Sequence, residues 1–163
     1  MGAERLHPAA SATRPTVLYV DDDAPNRQAF QAAFRRDMDI LLAGTSLEAL
    51  DLLTKHQVHV IITDQRMPLT QGHELLRLVR ERHPRVRRML VTGYADLQAV
   101  IDAVNQGGVM HYIPKPWNTG DVLNAVRDAF AGYLEEAERT AYTERLVQAN
   151  QQLEFALRQH LLS

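Results

Sequence analysis

The chain has 163 residues, of which 45% are hydrophobic, so it can bury the core of one domain and carry an extension. Its formal net charge of −2 argues against direct nucleic-acid binding, and the lack of cysteine excludes disulfides and thiolate metal sites. It shows neither an apolar signal core nor a run of about 18 apolar residues, so we expect a cytoplasmic protein that does not enter a membrane.

Residues 1–14 are rich in Ala, Ser, Thr and Pro and predict a disordered leader. Five short apolar runs follow at intervals. Each has the length and the β-branched or aromatic content of a strand. The runs are TVLYV (16–20), DILLA (39–43), VHVIIT (58–63), RMLVT (88–92) and MHYIP (110–114).

Helical patterns lie between these runs. In the second helix, which opens at Ser46, we expect Leu47, Leu50 and Leu53 to share one face. The patterns over 25–36, 72–82 and 96–105 also carry apolar residues at helical spacing. Strands that alternate with helices in this way predict an α/β fold with a doubly wound parallel sheet.

Polar residues follow the carboxyl ends of the predicted strands, where sheets of this kind bind their ligands. Asp21 and Asp22 follow the first run, Asp64 the third, Thr92 ends the fourth, and Lys115 follows the fifth. Because the strands are expected to be parallel, these side chains should converge on one crevice.

Three neighbouring carboxylates repel one another unless a cation joins them. Oxygen ligands alone suit a hard cation such as Mg²⁺. A carboxylate can also attack phosphorus and form an aspartyl phosphate, and a lysine and a hydroxyl nearby would stabilise the charge that develops. The residues at the strand ends therefore favour magnesium-dependent phosphoryl chemistry.

Four stretches resemble the receiver domain of two-component response regulators. They are VDDD (20–23), IITDQRMP (61–68), VTGYAD (91–96) and YIPKPW (112–117). The resemblance covers residues 15–132 and implies a flavodoxin-like sheet of five strands in the order 2-1-3-4-5. It also implies a signalling switch that is not a turnover enzyme.

The resemblance implies a role for each residue at the strand ends. Asp64 matches the aspartate that takes a phosphoryl group from a phosphohistidine, supplied by a sensor histidine kinase or a phosphotransfer protein. Asp21 and Asp22 match the acidic pair that holds Mg²⁺ together with Asp64. Thr92 and Lys115 match the hydroxyl and the ammonium group that contact the phosphoryl oxygens.

Two further positions match functional ones in the family. Arg66 matches the residue whose backbone carbonyl is a metal ligand, and Tyr112 matches an aromatic switch residue that turns inward on activation. The family also has a cis peptide bond before the proline at position 116. Arg66 and Tyr94 could in addition shield a phosphoryl group from water, although simple exposure to solvent is an equally good interpretation.

Other charged residues have plainer interpretations. Asp23 is expected to be exposed at a loop or helix start rather than in the metal site. The arginines between positions 80 and 88 form a basic cluster near a helix end, and the favoured interpretation is a solvated face. They are Arg80, Arg82, Arg85, Arg87 and Arg88.

The last helix should begin near Asp121 and continue to Ser163, much farther than a receiver domain needs. Leu146, Leu153 and Leu157 follow a coiled-coil spacing with Asn150 inside the seam. We therefore predict a helical coiled-coil extension over 133–163 and a parallel homodimer. The alternative to the coiled coil is a solvated helix that frays after about Glu144. The chain is expected to be either a complete protein or a receiver with a linker from a longer regulator.

Two other functions compete with the receiver. Asp21 and Asp23 form a DxD pair that resembles haloacid-dehalogenase phosphatases, but Pro25 and the strand on which Asp64 lies depart from that pattern. A scaffold that works without phosphorylation is the second alternative. The complete set of acids, threonine and lysine argues against it.

Overall fold

The computed structural model describes residues 14–106 and 108–162. Within these residues, five strands alternate with five α-helices, and a 3₁₀ turn at Tyr94–Asp96 precedes the fourth helix. The strands are β1 (Thr16–Val20), β2 (Asp39–Ala43), β3 (Val60–Asp64), β4 (Arg87–Thr92) and β5 (His111–Pro114). The helices are α1 (Ala24–Phe34), α2 (Ser46–Lys55), α3 (Gly72–Arg82), α4 (Leu97–Asn105) and α5 (Thr119–Leu162).

The strands form one parallel sheet in the order β2-β1-β3-β4-β5, which confirms the predicted doubly wound fold. β3 lies at the centre between β1 and β4. The register places Asp64 beside Val91, and Thr92 beside Pro114. Because the strands are parallel, their carboxyl ends lie at one edge of the sheet, where the predicted site residues follow them.

Hydrophobic side chains fill both faces of the sheet. Leu18 and Ile61 pack on one face with residues of α2, α3 and α4. Tyr19 and Ile62 point to the other face and pack with residues of α1 and α5. All five residues of β3 are buried, as expected for a central strand that is covered on both sides.

The predicted apolar face of α2 is wrong at Leu47, which is 82% exposed. The buried residues of this helix are Ala49 and Leu53, and Leu50 is partly buried. Residues two positions apart on a helix do not share a face, so Leu47 points away once Ala49 faces the core. The small alanine marks the buried side more accurately than the larger leucine.

The prediction of a solvated face is wrong for the last arginines of the basic cluster, because β4 already begins at Arg87. Arg88 is 3% exposed, and its guanidinium donates hydrogen bonds to the carbonyls of Gly108, Pro84 and Val86. Arg87 donates to the carbonyl of Gly132 at 2.7 Å. Backbone carbonyls thus accept hydrogen bonds from both guanidinium groups, which fastens β4 to neighbouring segments.

The leader predicted over 1–14 lies outside the described residues except for Arg14. The guanidinium of Arg14 donates to the carbonyls of Arg35 and Met38 at 2.9 and 3.0 Å and pairs with Asp39 at 3.3 Å. This residue therefore contacts the turn between α1 and β2.

The long C-terminal helix is confirmed, since α5 contains 44 residues. The chain divides into two compact units between Tyr133 and Leu134. Val122 and Val126 of α5 are buried in the first unit, whereas Leu146 and Leu153 in the second are exposed. Among the described helices, including α5, no segment has the length and apolar character that crossing a bilayer requires.

Gly72 allows the start of α3 to approach the end of β3. A Cβ at this position would lie 2.2 Å from the carbonyl oxygen of Asp64 and 2.9 Å from Leu90. Gly72→Ala should therefore lower the free energy of unfolding by about 1–3 kcal/mol, measured by urea denaturation. Gly93→Ala is the control, because no atom lies within 4 Å of its added Cβ. Equal effects of the two substitutions would contradict this account.

His59 links stability to pH. It is 7% exposed, its Nδ1 accepts a hydrogen bond from the Thr16 amide at 2.9 Å, and its burial lowers its pKa from the ordinary 6.5. His59 therefore binds a proton more readily in the unfolded chain than in the folded one. The stability that neutral His59 contributes is present above pH 6.5 and is lost as the pH falls through the lower pKa of the folded state.

Urea unfolding of wild type and His59→Gln across this pH range measures the effect. The variant should lose less stability on acidification than wild type does. His56→Gln, at an exposed histidine after α2, should keep the wild-type slope. A wild-type slope in His59→Gln would show that His59 does not carry this dependence.

Candidate functional site

The carboxylate that follows β1 is held in one orientation. Asp21 is 1% exposed, and its Oδ2 accepts hydrogen bonds from the Tyr19 hydroxyl at 2.9 Å and from the Asn26 amide at 3.2 Å. Its Oδ1 accepts from the backbone N–H of Asp23 at 3.0 Å. Burial and the nearby Asp21 charge raise the pKa of Tyr19, so the hydroxyl stays a donor.

The central acid is Asp64, the last residue of β3. Its Oδ1 lies 2.6 Å from the Nζ of Lys115. Burial raises the pKa of Asp64, and Lys115 opposes that rise by a hydrogen bond and by its charge. Asp21 acts in the same direction as burial, because a second negative charge disfavours ionisation.

Asp21, Asp22 and Asp64 form a three-acid cluster. Each offers one carboxylate oxygen, and these oxygens all lie within 4.8 Å of one another. Asp21 and Asp64 are buried, whereas Asp22 is exposed, so the cluster lies at the surface of the sheet edge. Three oxygen donors this close suit a hard divalent cation.

Thr92 and Lys115 lie at the ends of the next two strands. Thr92 is buried, and its Oγ1 donates to the carbonyl of Gly93 at 3.3 Å. The backbone N–H of Lys115 donates to the carbonyl of Thr92 at 2.9 Å. The peptide bond between Lys115 and Pro116 is cis, as the family resemblance implied. The backbone contact holds Lys115 beside β4, where its side chain reaches Asp64.

Gln65 stabilises the loop after Asp64, and the sequence gave no indication of this role. It is 2% exposed. Its amide nitrogen contacts His73 Nδ1 at 2.7 Å and Gln71 Oε1 at 3.3 Å, and its amide oxygen accepts from the His73 N–H at 3.0 Å. Only its position directly after Asp64 could have suggested it, since glutamine is usually exposed.

The remaining predicted residues surround this centre. Arg66 is exposed, and its Nε donates to Asp96 Oδ2 at 2.9 Å. Asp23 is exposed at the start of α1, as expected from the sequence. Tyr112 on β5 is 45% exposed, so its side chain points outward in this structure. The side chain of Tyr94 lies outside the described part of the chain.

These contacts define what this edge of the sheet can do chemically. Asp64 offers a carboxylate oxygen that could act as a nucleophile, Lys115 places an ammonium group on the same carboxylate, and the other two acids could supply cation ligands. Such an arrangement can carry an acyl phosphate and neutralise its charge.

Comparison with known proteins points to the same chemistry. Residues 17–127 match the family described as the response regulator receiver domain. The hydrogenase transcriptional regulatory protein HoxA of Cupriavidus necator is 38% identical over 119 residues, which cover 73% of this chain and 25% of the relative. HoxA of Bradyrhizobium diazoefficiens is 35% identical over 127 residues, which cover 77% and 26%.

Among solved structures, the signal receiver domain of an HD domain-containing protein from Pseudomonas fluorescens Pf-5 superposes with a TM-score of 0.73. The two are 31% identical, and the match covers 77% of this chain and 93% of the other. The chain spans about a quarter of the length of the two HoxA proteins.

The haloacid-dehalogenase alternative is not favoured. Asp22, not the Asp23 of the DxD pair, joins Asp21 and Asp64 in the acid cluster. The family match extends from β1 into α5 and includes all four stretches on which the resemblance rested. The chain therefore belongs to the response regulator receiver domains of two-component systems.

Proposed function

We propose that Asp64 accepts a phosphoryl group from a phosphohistidine of a sensor histidine kinase or a phosphotransfer protein. The contact between Asp64 and Lys115 at 2.6 Å, beside the three-acid cluster, is the observation that carries the proposal. The chain is then a switch in the cytoplasm rather than a turnover enzyme.

In the transfer, an oxygen of the Asp64 carboxylate forms a bond to phosphorus while the bond between phosphorus and the imidazole nitrogen breaks. The electron pair of that bond stays on the imidazole, which takes up a proton as it leaves. Lys115 balances charge on the phosphoryl oxygens, and the Thr92 hydroxyl is the further donor that can reach them after a side-chain rotation.

A divalent cation fits the acids at this site, and we propose Mg²⁺. Asp21, Asp22 and Asp64 would hold it together with the backbone carbonyl of Arg66. When bound, the ion neutralises carboxylate and phosphoryl charge. Tyr19 contributes by fixing the Asp21 carboxylate through the hydroxyl contact at 2.9 Å.

We propose that Thr92, Tyr112 and the C-terminal extension transmit the effect of phosphorylation. A doubly charged phosphoryl group changes the charge beside Thr92, and Tyr112 is the aromatic residue that would turn inward. The receiver comprises residues 15–132, and residues 133–163 form a coiled-coil extension that pairs two copies in parallel. The matched residues make up about a quarter of each relative, which supports a receiver with a linker in a larger regulator.

Phosphorylation of Asp64 can be tested directly. Wild type treated with acetyl phosphate and Mg²⁺ should gain the mass of one phosphoryl group, and Asp64→Asn should gain none. Lys115→Ala should react roughly 100-fold more slowly, because one preorganised charge is lost. Intact-mass spectrometry over time measures all three.

Asp23→Asn is the matched control, since Asp23 is an exposed acid of the same loop outside the three-acid cluster. It should react like wild type, and chelation of Mg²⁺ should stop the reaction. A phosphoryl group that still forms on Asp64→Asn would contradict the assignment. Repeated turnover of a phosphate monoester that is abolished in Asp21→Asn but not in Asp64→Asn would favour the phosphatase instead.

The paired tail gives a second test. Leu153→Asp places a charge in the proposed seam and should convert a dimer to a monomer in sedimentation velocity. Glu154→Gln, at the adjacent exposed position, should leave the dimer intact. Monomeric wild type would show that the second unit is a solvated helix, while phosphorylation of Asp64 would remain unaffected.

A further inference from the structure

The first turn of α4 lacks the cap that its sequence offers. Asp96 is the N-cap residue of this helix, yet its side chain makes no capping hydrogen bond. Two other helices have a side-chain cap, whereas Asp23 before α1 and Gln71 before α3 make none. The Thr45 hydroxyl accepts from the Glu48 N–H at 3.1 Å before α2, and Asn118 Oδ1 accepts from the Gly120 N–H at 2.8 Å at the start of α5. Aspartate is among the best N-cap residues, yet the Asp96 carboxylate is bonded to a different partner.

The competitor is Arg66. Its Nε donates to Asp96 Oδ2 at 2.9 Å, and the contact joins the loop after β3 to the start of α4. The Asp96 side chain is 21% exposed and that of Arg66 71% exposed, so the arginine is free to turn. Arg66 lies two residues after Asp64, beside the position at which a phosphoryl group would form.

We propose that Asp96 is a capping switch, whose carboxylate pairs with Arg66 in the unphosphorylated chain and caps α4 once Arg66 turns to a phosphoryl group on Asp64. The proposal rests on the proposed phosphorylation of Asp64. It assigns Arg66 as a positioning residue that transmits the change in charge to α4.

The change of partner is favourable for both Arg66 and Asp96. A phosphoryl group carries nearly twice the charge of a carboxylate and accepts paired hydrogen bonds from a guanidinium, so it competes well for Arg66. The released carboxylate of Asp96 then accepts from the backbone N–H of Gln98 or Ala99, the second and third residues of the helix. Two alternative partners for one side chain give a two-state element that phosphorylation can bias.

Amide exchange at Gln98 and Ala99 reports the switch, measured residue by residue by NMR on the full chain. Arg66→Gln frees Asp96 without phosphorylation, so exchange at these two amides should become about two- to tenfold slower than in wild type. If the ion pair only tethers α4, its removal should loosen the helix, and exchange at these two amides should become faster.

Substitutions at Asp96 separate pairing from capping. Asp96→Asn cannot form the ion pair but caps a helix well, so it should show the same slow exchange as Arg66→Gln. Asp96→Ala can do neither, and Arg66→Gln should have no effect in its background. Asp51→Asn is the matched control, since it removes an exposed ion pair with Lys55, also at 2.9 Å, on α2. It should leave both amides unchanged.

Acetyl phosphate with Mg²⁺ tests the trigger. Wild type should show slower exchange at Gln98 and Ala99 once it carries the phosphoryl group, and Asp96→Asn should show no further slowing. Faster exchange in Arg66→Gln, or equal behaviour of Asp96→Asn and Asp96→Ala, overturns the switch. A chain that gains the phosphoryl group without any change at these amides overturns the switch but leaves the proposed function intact, whereas a chain that gains no mass overturns both.

Discussion

The site depends on a carboxylate that ends a buried strand. Every residue of β3 is buried, so Asp64 comes out of the core with little water around it and its pKa rises. Ionised Asp64 therefore needs cations, and Lys115 supplies one at 2.6 Å. The parallel register brings Lys115 within reach, because β4 separates β3 from β5 and holds the Lys115 backbone through Thr92. The charge balance of this one carboxylate connects the core, the sheet order and the chemistry.

The fold could be predicted from the sequence because its signals are local. Strand runs, turn residues and helical spacing each lie within a few positions, and the order of the sheet follows from the family resemblance. The strand-end acids, Thr92 and Lys115 could be found for the same reason, since a parallel sheet places all strand ends together. Prediction was wrong where burial depends on neighbours distant in sequence, as at Leu47 on α2 and at Arg88 on β4.

Side-chain partners across loops were beyond the sequence. Gln65 is held by His73 at the start of α3, through a contact that depends on the shape of the loop between them. The Arg66–Asp96 pair spans 30 positions, and nothing in either residue's neighbourhood indicates the other. Polar residues of this kind are mostly exposed in proteins, so the sequence predicts an exposed side chain at each of these positions. Their contacts become evident only from the folded structure.

The proposed capping of α4 would connect the chemistry of the site to the rest of the domain. An N-cap side chain bonds the backbone N–H groups of the first turn, so the proposed switch at Asp96 would act on the start of α4. The residues that follow Asp96 include Leu97 and Ile101, each 44% exposed, so a change in this turn alters an apolar part of the surface. Because Arg66 contacts this turn from the loop after Asp64, the proposed phosphoryl charge would need no rearrangement of the core to affect that surface.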